Sequence, residues 1–161
     1  MNFESLEDIK VLMDNFDPAS LLPDLSSFPG IVATLTRLAV MAGPIVLLVM
    51  GILYFFVSPK EANYHFGYRC YFGMGSEVAW RFTQRLAGIV WAALGLVLTV
   101  VMLLISGGYG KKAIDAIIQS GLNCLLWQIG LTVVSCIAIN VTVMLLYDRK
   151  GLRRNEFKDE F

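Results

Sequence analysis

The chain has 161 residues, of which 57% are hydrophobic, and its 13 basic and 13 acidic side chains give a formal net charge of zero. Its mean hydropathy of +0.65 excludes an ordinary soluble domain of this size and indicates a membrane protein. We expect no nucleic-acid partner, no cofactor and no bound metal.

Residues 1–30 form an acidic N-terminal segment, since six of the 13 acidic side chains lie in the first 24 positions. The segment lacks the basic start and the cleavage site of a signal peptide, so we expect it in the mature protein. Apolar residues recur there at helical spacing: Phe3, Leu6, Ile9, Leu12, Met13 and Phe16. Asp17 and Pro18 then provide a cap and a first helical position, and the pattern predicts two short amphipathic helices. They could lie on the membrane, bind a partner or pack on the protein's own bundle, and the last is favoured because acidic faces suit anionic lipid poorly.

Three stretches without any charged residue follow, at positions 38–57, 86–110 and 116–147. Each is long enough to cross the hydrocarbon core, which takes about 20 apolar residues in a helix. They are too long and too continuous for the strands of a barrel. The predicted fold is an all-α membrane protein, with three transmembrane helices in residues 31–148. Residues 149–161 form a basic and then mixed-charge tail.

The distribution of Lys and Arg predicts the orientation, because cytoplasmic segments are enriched in them. The first connection and the C-terminal tail together carry nine basic residues, whereas the N-terminal segment and the second connection carry four. We therefore expect an outside N-terminus and a cytoplasmic C-terminus.

Small and polar residues within the spans predict how the helices pack. Ala39, Gly43 and Gly51 are expected on one side of the first span, with a kink at Pro44. A second row of small residues in the second span is also expected to pack: Gly88, Ala92, Gly95 and Thr99. Polar residues of the third span are expected to turn inward: Asn123, Gln128, Ser135, Asn140 and Thr142. A buried hydrogen-bond network is favoured over a polar path for a substrate.

Catalysis and proton-coupled transport are disfavoured. The uncharged cores contain no Asp or Glu, which proton relays in membranes usually need. His65 and Cys70 lie close in sequence, but no third group is indicated to orient them. We therefore expect that the protein is not an enzyme.

The first connection combines aromatic residues, glycines and arginines. Ser76 and Glu77 have the pattern of a helix start. Trp80 is expected at the level of the lipid headgroups, with a wet indole N–H, and Arg85 beside it. Arg69 suits a carboxylate, a phosphate or several backbone carbonyls, so it either contacts a ligand or ties the connection to helix ends.

The same connection resembles the signature of the SdpI family, bacterial membrane proteins named for immunity to a sporulation-delay toxin. The resemblance rests on Asn63, Phe66, Gly67, Tyr68, Arg69, Met74, Trp80, Arg85 and Gly88. The chain departs from the usual family pattern at Cys70, Tyr71 and Gln84. The resemblance implies a protein of the bacterial cell membrane that protects the cell by binding a peptide toxin or the toxin's target, with signalling through the cytoplasmic loop as a further expected role.

The residues expected to contact a ligand or partner are Asn63, Gly67, Tyr68, Arg69, Trp80 and Arg85. Besides the lipid bilayer, the expected partner is a peptide toxin, a cytoplasmic regulator or another membrane protein. Two other functions are left open. One is a scaffold or assembly subunit of a membrane complex, and the other is a small transporter or channel subunit acting as a homo-oligomer, because three helices hardly enclose a path.

Overall fold

The computed structural model describes residues 28–59, 61–62 and 65–154. They form three long helices, α1 (Phe28–Phe56), α2 (Glu77–Gly107) and α3 (Ile114–Leu146), with a short 3-10 helix at Tyr109–Lys111. No strand occurs in this part of the chain apart from an isolated bridge between Tyr147 and Arg153. The predicted all-α architecture with three apolar helices is confirmed. The two predicted amphipathic helices fall outside the described residues.

All three helices are long and apolar enough to cross a membrane. With 29, 31 and 33 residues they are about 44 to 50 Å long, at a rise of about 1.5 Å per residue. The hydrocarbon core is only about 30 Å thick, so the helices tilt or extend into the headgroup layer. Large apolar side chains cover the outside of the bundle, such as Leu104 at 77% exposure and Trp127 at 68%. Lipid, rather than water, suits this surface.

Both ends of α2 are capped by residues outside its apolar stretch. At the start, Ser76 Oγ accepts a hydrogen bond from the Ala79 N–H at 3.1 Å, which confirms the predicted helix start. At the end, Arg37 of α1 donates to the Ser106 carbonyl from Nε at 3.3 Å and Nη2 at 2.9 Å. A cation there complements the negative end of the helix dipole, so Arg37 has a structural role at the membrane edge.

Helices α1 and α2 meet backbone to backbone at three glycines. A Cβ added at Gly51 would lie 2.3 Å from the Ala92 nitrogen, and one at Gly95 would lie 2.4 Å from the Leu48 nitrogen. A Cβ at Gly88 would lie 2.8 Å from the Phe55 nitrogen. The prediction that these small residues pack helices is confirmed. Lipid is as apolar as the helices, so no hydrophobic effect draws them together, and close van der Waals packing must provide the attraction.

Gly43 does not share the contact face of Gly51, so this part of the prediction was wrong. A Cβ at Gly43 would lie 2.6 Å from Gln128 Oε1 of α3. Eight residues turn a helix by two full turns and about 80° more, which puts Gly43 and Gly51 on adjacent faces. Gly51 therefore faces α2, whereas Gly43 faces α3.

Gln128 supplies a hydrogen bond that Pro44 cannot make. In a regular helix the Val40 carbonyl accepts from the N–H of residue 44, but proline has no N–H. The Gln128 Nε2 donates to that carbonyl at 2.9 Å, and Gly43 leaves the space for its side chain. α1 is helical through Pro44, and the predicted kink stays a prediction.

The polar residues of α3 divide between two surfaces. Gln128 and Ser135 are buried as predicted, and Ser135 Oγ donates to the Thr132 carbonyl at 2.7 Å. Asn123 and Asn140 are exposed, so the prediction that they turn inward was wrong. Each lies next in sequence to a buried contact residue, Cys124 or Ile139, and one step along a helix rotates a side chain by about 100°.

Candidate functional site in the first connection

The first connection and the segment after α3 lie at the same end of the bundle and contact each other. Ser76 Oγ donates to the Gly151 carbonyl at 2.7 Å. Gly151 has a positive φ of 73°, and a Cβ there would lie 2.4 Å from the Ser76 nitrogen, so both geometry and space require glycine. The two segments with most of the basic residues therefore share one end, in agreement with the distribution of Lys and Arg.

Gln84 clamps the backbone of Tyr68 in the connection. Its Oε1 accepts from the Tyr68 N–H and its Nε2 donates to the Tyr68 carbonyl, both at 2.7 Å. The two residues are buried, with 1% exposure for Gln84 and 8% for Tyr68. The side-chain amide thus hydrogen-bonds to the N–H and the carbonyl of one residue, as a neighbouring strand would. Both backbone groups are shielded from solvent and therefore need such a partner.

The Tyr68 side chain extends this clamp to the other helices. Its hydroxyl donates to the Cys136 carbonyl of α3 at 3.2 Å, and its ring meets Trp91 of α2 edge to face at 5.4 Å. Burial raises the pKa of the Tyr68 phenol above its ordinary value, so the hydroxyl is a neutral donor at physiological pH. The connection is therefore fixed to both α2 and α3.

Trp80 is an internal residue, so the prediction of a wet indole N–H was wrong, while its level in the membrane stays a prediction. Its exposure is 0%, and its Nε1 donates to the Pro59 carbonyl at 2.9 Å. A Cβ at Gly67, which has a positive φ of 125°, would lie 2.7 Å from Trp80 Cζ2. The connection folds back over the first turns of α2 and covers the indole, which a hydropathy pattern cannot reveal.

The two arginines of the predicted site are exposed instead. Arg69 follows the clamped Tyr68 directly, and Arg85 follows Gln84. Within residues 28–59, 61–62 and 65–154, neither guanidinium forms a hydrogen bond or ion pair, so Arg69 does not tie the connection to a helix end there. Arg81, by contrast, pairs with Glu77 one helical turn earlier.

The six predicted site residues thus separate by position. Gly67 lies against the buried Trp80, Tyr68 is buried against α2 and α3, Arg69 and Arg85 are exposed, and Asn63 lies outside the described residues. Sequence reasoning missed the role of Gln84, which it noted only as a departure from the family pattern. The available signal was an amide on the same helix face as Trp80, Ala87 and Gly88, since a polar group on a buried face needs a partner.

A cavity of about 380 Å³ lies between the connection and α3. Arg69, Cys70 and Tyr71 line it on one side, and Asn140, Val141 and Met144 line it on the other. A larger and mostly apolar cavity of about 740 Å³ lies between α2 and α3 toward the opposite end, where Gln119, Ser120 and Asn123 are among its polar lining residues. Of these two cavities, the first has both a guanidinium and a side-chain amide among the described residues that line it.

The region that contains this site matches a family model, described as the SdpI/YfhL protein family, over residues 60–147. The match covers more than half of the chain and includes the connection, α2 and α3. No curated protein and no solved structure matches the chain. The resemblance carried by the connection is confirmed, and the chain belongs to the SdpI/YfhL family of membrane proteins.

Proposed function

We propose that this protein protects the membrane in which it resides against a secreted peptide toxin, by binding the toxin or its target through the first connection. Membership of an immunity family supports the general role. The observation that carries the specific proposal is the placement of Arg69. Its neighbour Tyr68 has both backbone groups clamped by Gln84, so the backbone that carries the exposed Arg69 side chain is held at a defined position.

An exposed arginine on an ordered backbone suits recognition of an anionic group on a peptide. Arginine donates two parallel hydrogen bonds to a carboxylate, and a charge-assisted pair is roughly twice as strong as a neutral hydrogen bond. Because the backbone is already ordered, less conformational entropy is lost on binding. The mechanism is stoichiometric: the ligand is retained at the cavity beside Arg69 and Asn140 instead of acting on the bilayer.

Replacement of Arg69 by Ala is expected to abolish protection while the protein stays in the membrane. The side chain is exposed, so its loss removes the charge without disturbing the packing of the connection. The assay uses a strain from which the gene has been deleted, exposed to the culture supernatant of its parent strain. Survival is compared after complementation with the wild-type gene and with the Arg69→Ala variant, at equal amounts of membrane protein.

Arg81→Ala is the matched control, since Arg81 is also exposed but pairs with Glu77 on its own helix. It is expected to protect as well as the wild type. Full protection by Arg69→Ala would remove Arg69 from the mechanism, and survival of the deletion strain would contradict the immunity role. Affinity purification from the native membrane then separates the other functions, because a membrane complex would indicate a scaffold and copies of the same chain a homo-oligomer.

We also propose that the connection and the C-terminus lie in the cytoplasm, so that the connection meets the toxin only after the peptide has inserted into the bilayer. Nine basic residues at that end against four at the other support this orientation. The test uses single cysteines at exposed positions, Glu61→Cys or Lys111→Cys, in a variant whose three native cysteines are replaced by alanine. A membrane-impermeant maleimide should label Lys111→Cys in intact cells and Glu61→Cys only after permeabilisation. The reverse pattern would contradict the proposed orientation.

A further inference from the structure

We propose that one anionic phospholipid binds at the connection end of α3, with its phosphate among Arg69, Arg149 and Lys150 and an acyl chain along α3. This inference shares the cavity beside Arg69 with the proposed function, but it does not depend on the immunity role. It rests on two adjoining cavities, on an excess of positive charge, and on the apolar helix surface directly beside that charge.

The two cavities form one continuous surface. The cavity of about 380 Å³ beside Arg69 is lined in part by Phe72 and Met144. A second cavity of about 550 Å³ beside Arg149 and Lys150 is lined by the same two residues. A ligand that spans both cavities would therefore contact the connection, the end of α3 and the segment that follows it.

Positive charge dominates this surface. Among the described residues, four basic ones line the two cavities, Arg69, Arg149, Lys150 and Arg154, against one carboxylate, Asp148. The Oδ1 of Asp148 already accepts from the N–H groups of Lys150 at 2.9 Å and Leu152 at 2.8 Å. The carboxylate is thus engaged with the backbone, and the basic side chains are left to attract an anion.

The segment that carries the charges is ordered by its own hydrogen bonds. The Arg154 N–H donates to the Leu146 carbonyl at 3.0 Å, and its Nε donates to the Tyr147 carbonyl at 3.3 Å. The contact between Ser76 and Gly151 then fixes the segment to the start of α2. The backbone that carries the basic side chains is therefore ordered relative to α3 before any ligand binds, which lowers the entropic cost of binding.

The apolar part of the surface selects a lipid over other anions. Val141, Met144 and Leu145, in the last two turns of α3, are exposed by 41%, 40% and 64%. They lie at the end of a membrane-spanning helix, directly next to the basic segment. A phospholipid places its phosphate at the headgroup level and its chains below it, which matches this order of charge and apolar surface. The Asn140 amide offers a further hydrogen bond to an ester or phosphate oxygen.

Native mass spectrometry of the purified full-length chain tests the inference, with added phosphatidylglycerol as the anionic lipid and phosphatidylcholine as the zwitterionic one. The wild type is expected to retain one phosphatidylglycerol in preference to phosphatidylcholine. The Arg149→Gln/Lys150→Gln variant should bind phosphatidylglycerol at least tenfold more weakly. The Lys111→Gln/Lys112→Gln variant removes the same charge from exposed positions at the opposite end and should bind as the wild type does.

Three results would overturn the proposal. Equal loss in both double variants would show that net charge, rather than this surface, holds the lipid. Equal retention of the two lipids by the wild type would exclude a site for an anionic headgroup. Displacement of phosphatidylglycerol by an equal concentration of inorganic phosphate would show that the site takes a free anion. An unchanged melting temperature of the lipid-free variants ensures that the comparison is between folded proteins.

Discussion

The Gln84→Met variant is expected to lose about 2 to 4 kcal/mol of stability and to release the first connection from α2. Methionine has nearly the length of glutamine but cannot hydrogen-bond to both backbone groups of Tyr68. A buried donor or acceptor without a partner costs about 1 to 3 kcal/mol, and this variant leaves one of each. Equilibrium unfolding of the purified protein in detergent micelles measures the change.

Thiol reactivity reports whether the connection itself is released. Cys70 is partly buried and accepts a hydrogen bond from the Gly73 N–H at 3.3 Å. It should react faster with a maleimide in Gln84→Met than in the wild type. The matched control is Gln119→Met, since Gln119 is an exposed amide on α3, and its effect on stability should stay within about 0.5 kcal/mol. If Gln84→Met had the same stability and the same Cys70 reactivity as the wild type, the clamp would be dispensable.

The Gly51→Ala variant is expected to destabilise the bundle by about 3 kcal/mol, because overpacked sites cost about 1 to 3 kcal/mol and occasionally more. The added methyl group would lie 2.3 Å from the Ala92 nitrogen and 2.7 Å from its Cα. Both are backbone atoms, so no side-chain rotation can relieve the clash. α1 and α2 must move apart, which weakens the close packing on which helix association in lipid depends.

The control substitution is expected to change stability in the opposite direction. Gly130 of α3 has no atom within 4 Å of an added Cβ. Alanine is better than glycine in a helix by about 1 kcal/mol, so Gly130→Ala should be neutral or stabilising. Unfolding of the two variants under identical detergent conditions separates interface packing from helix propensity. Similar stability of Gly51→Ala and Gly130→Ala would contradict direct contact of the α1 and α2 backbones.

A loss of protection in Arg69→Ala must be interpreted together with the stability of the variants. Arg69 is exposed, whereas Gln84 and Tyr68 are buried, so a role in binding and a role in folding can be tested at adjacent positions. A Gln84 variant that loses protection would support the view that Arg69 acts from a fixed position. An Arg69 variant with normal stability would show that its role is not structural.

Much of the architecture could be predicted from sequence because it depends on local properties. A helix in lipid must satisfy its backbone hydrogen bonds within itself, so a long uncharged run determines a spanning helix almost alone. The start of α2 at Ser76 is also local, since the cap and the N–H that it satisfies are three residues apart. The glycines at positions 51, 88 and 95 were recognisable because small residues are what close helix packing requires.

The tertiary structure decided which side chains face the protein and which face lipid. Apolar residues suit both environments, so hydropathy could not separate the faces of α3, and Asn123 and Asn140 were placed wrongly. The burial of Trp80 under the connection, the clamp of Gln84 on Tyr68 and the bond from Gln128 to Val40 join residues 16 to 88 positions apart. Such pairs have no periodic signal in the chain. The sequence alone thus determined three membrane helices and the family, while the exposed position of Arg69 on a clamped connection emerged only when the helices were packed.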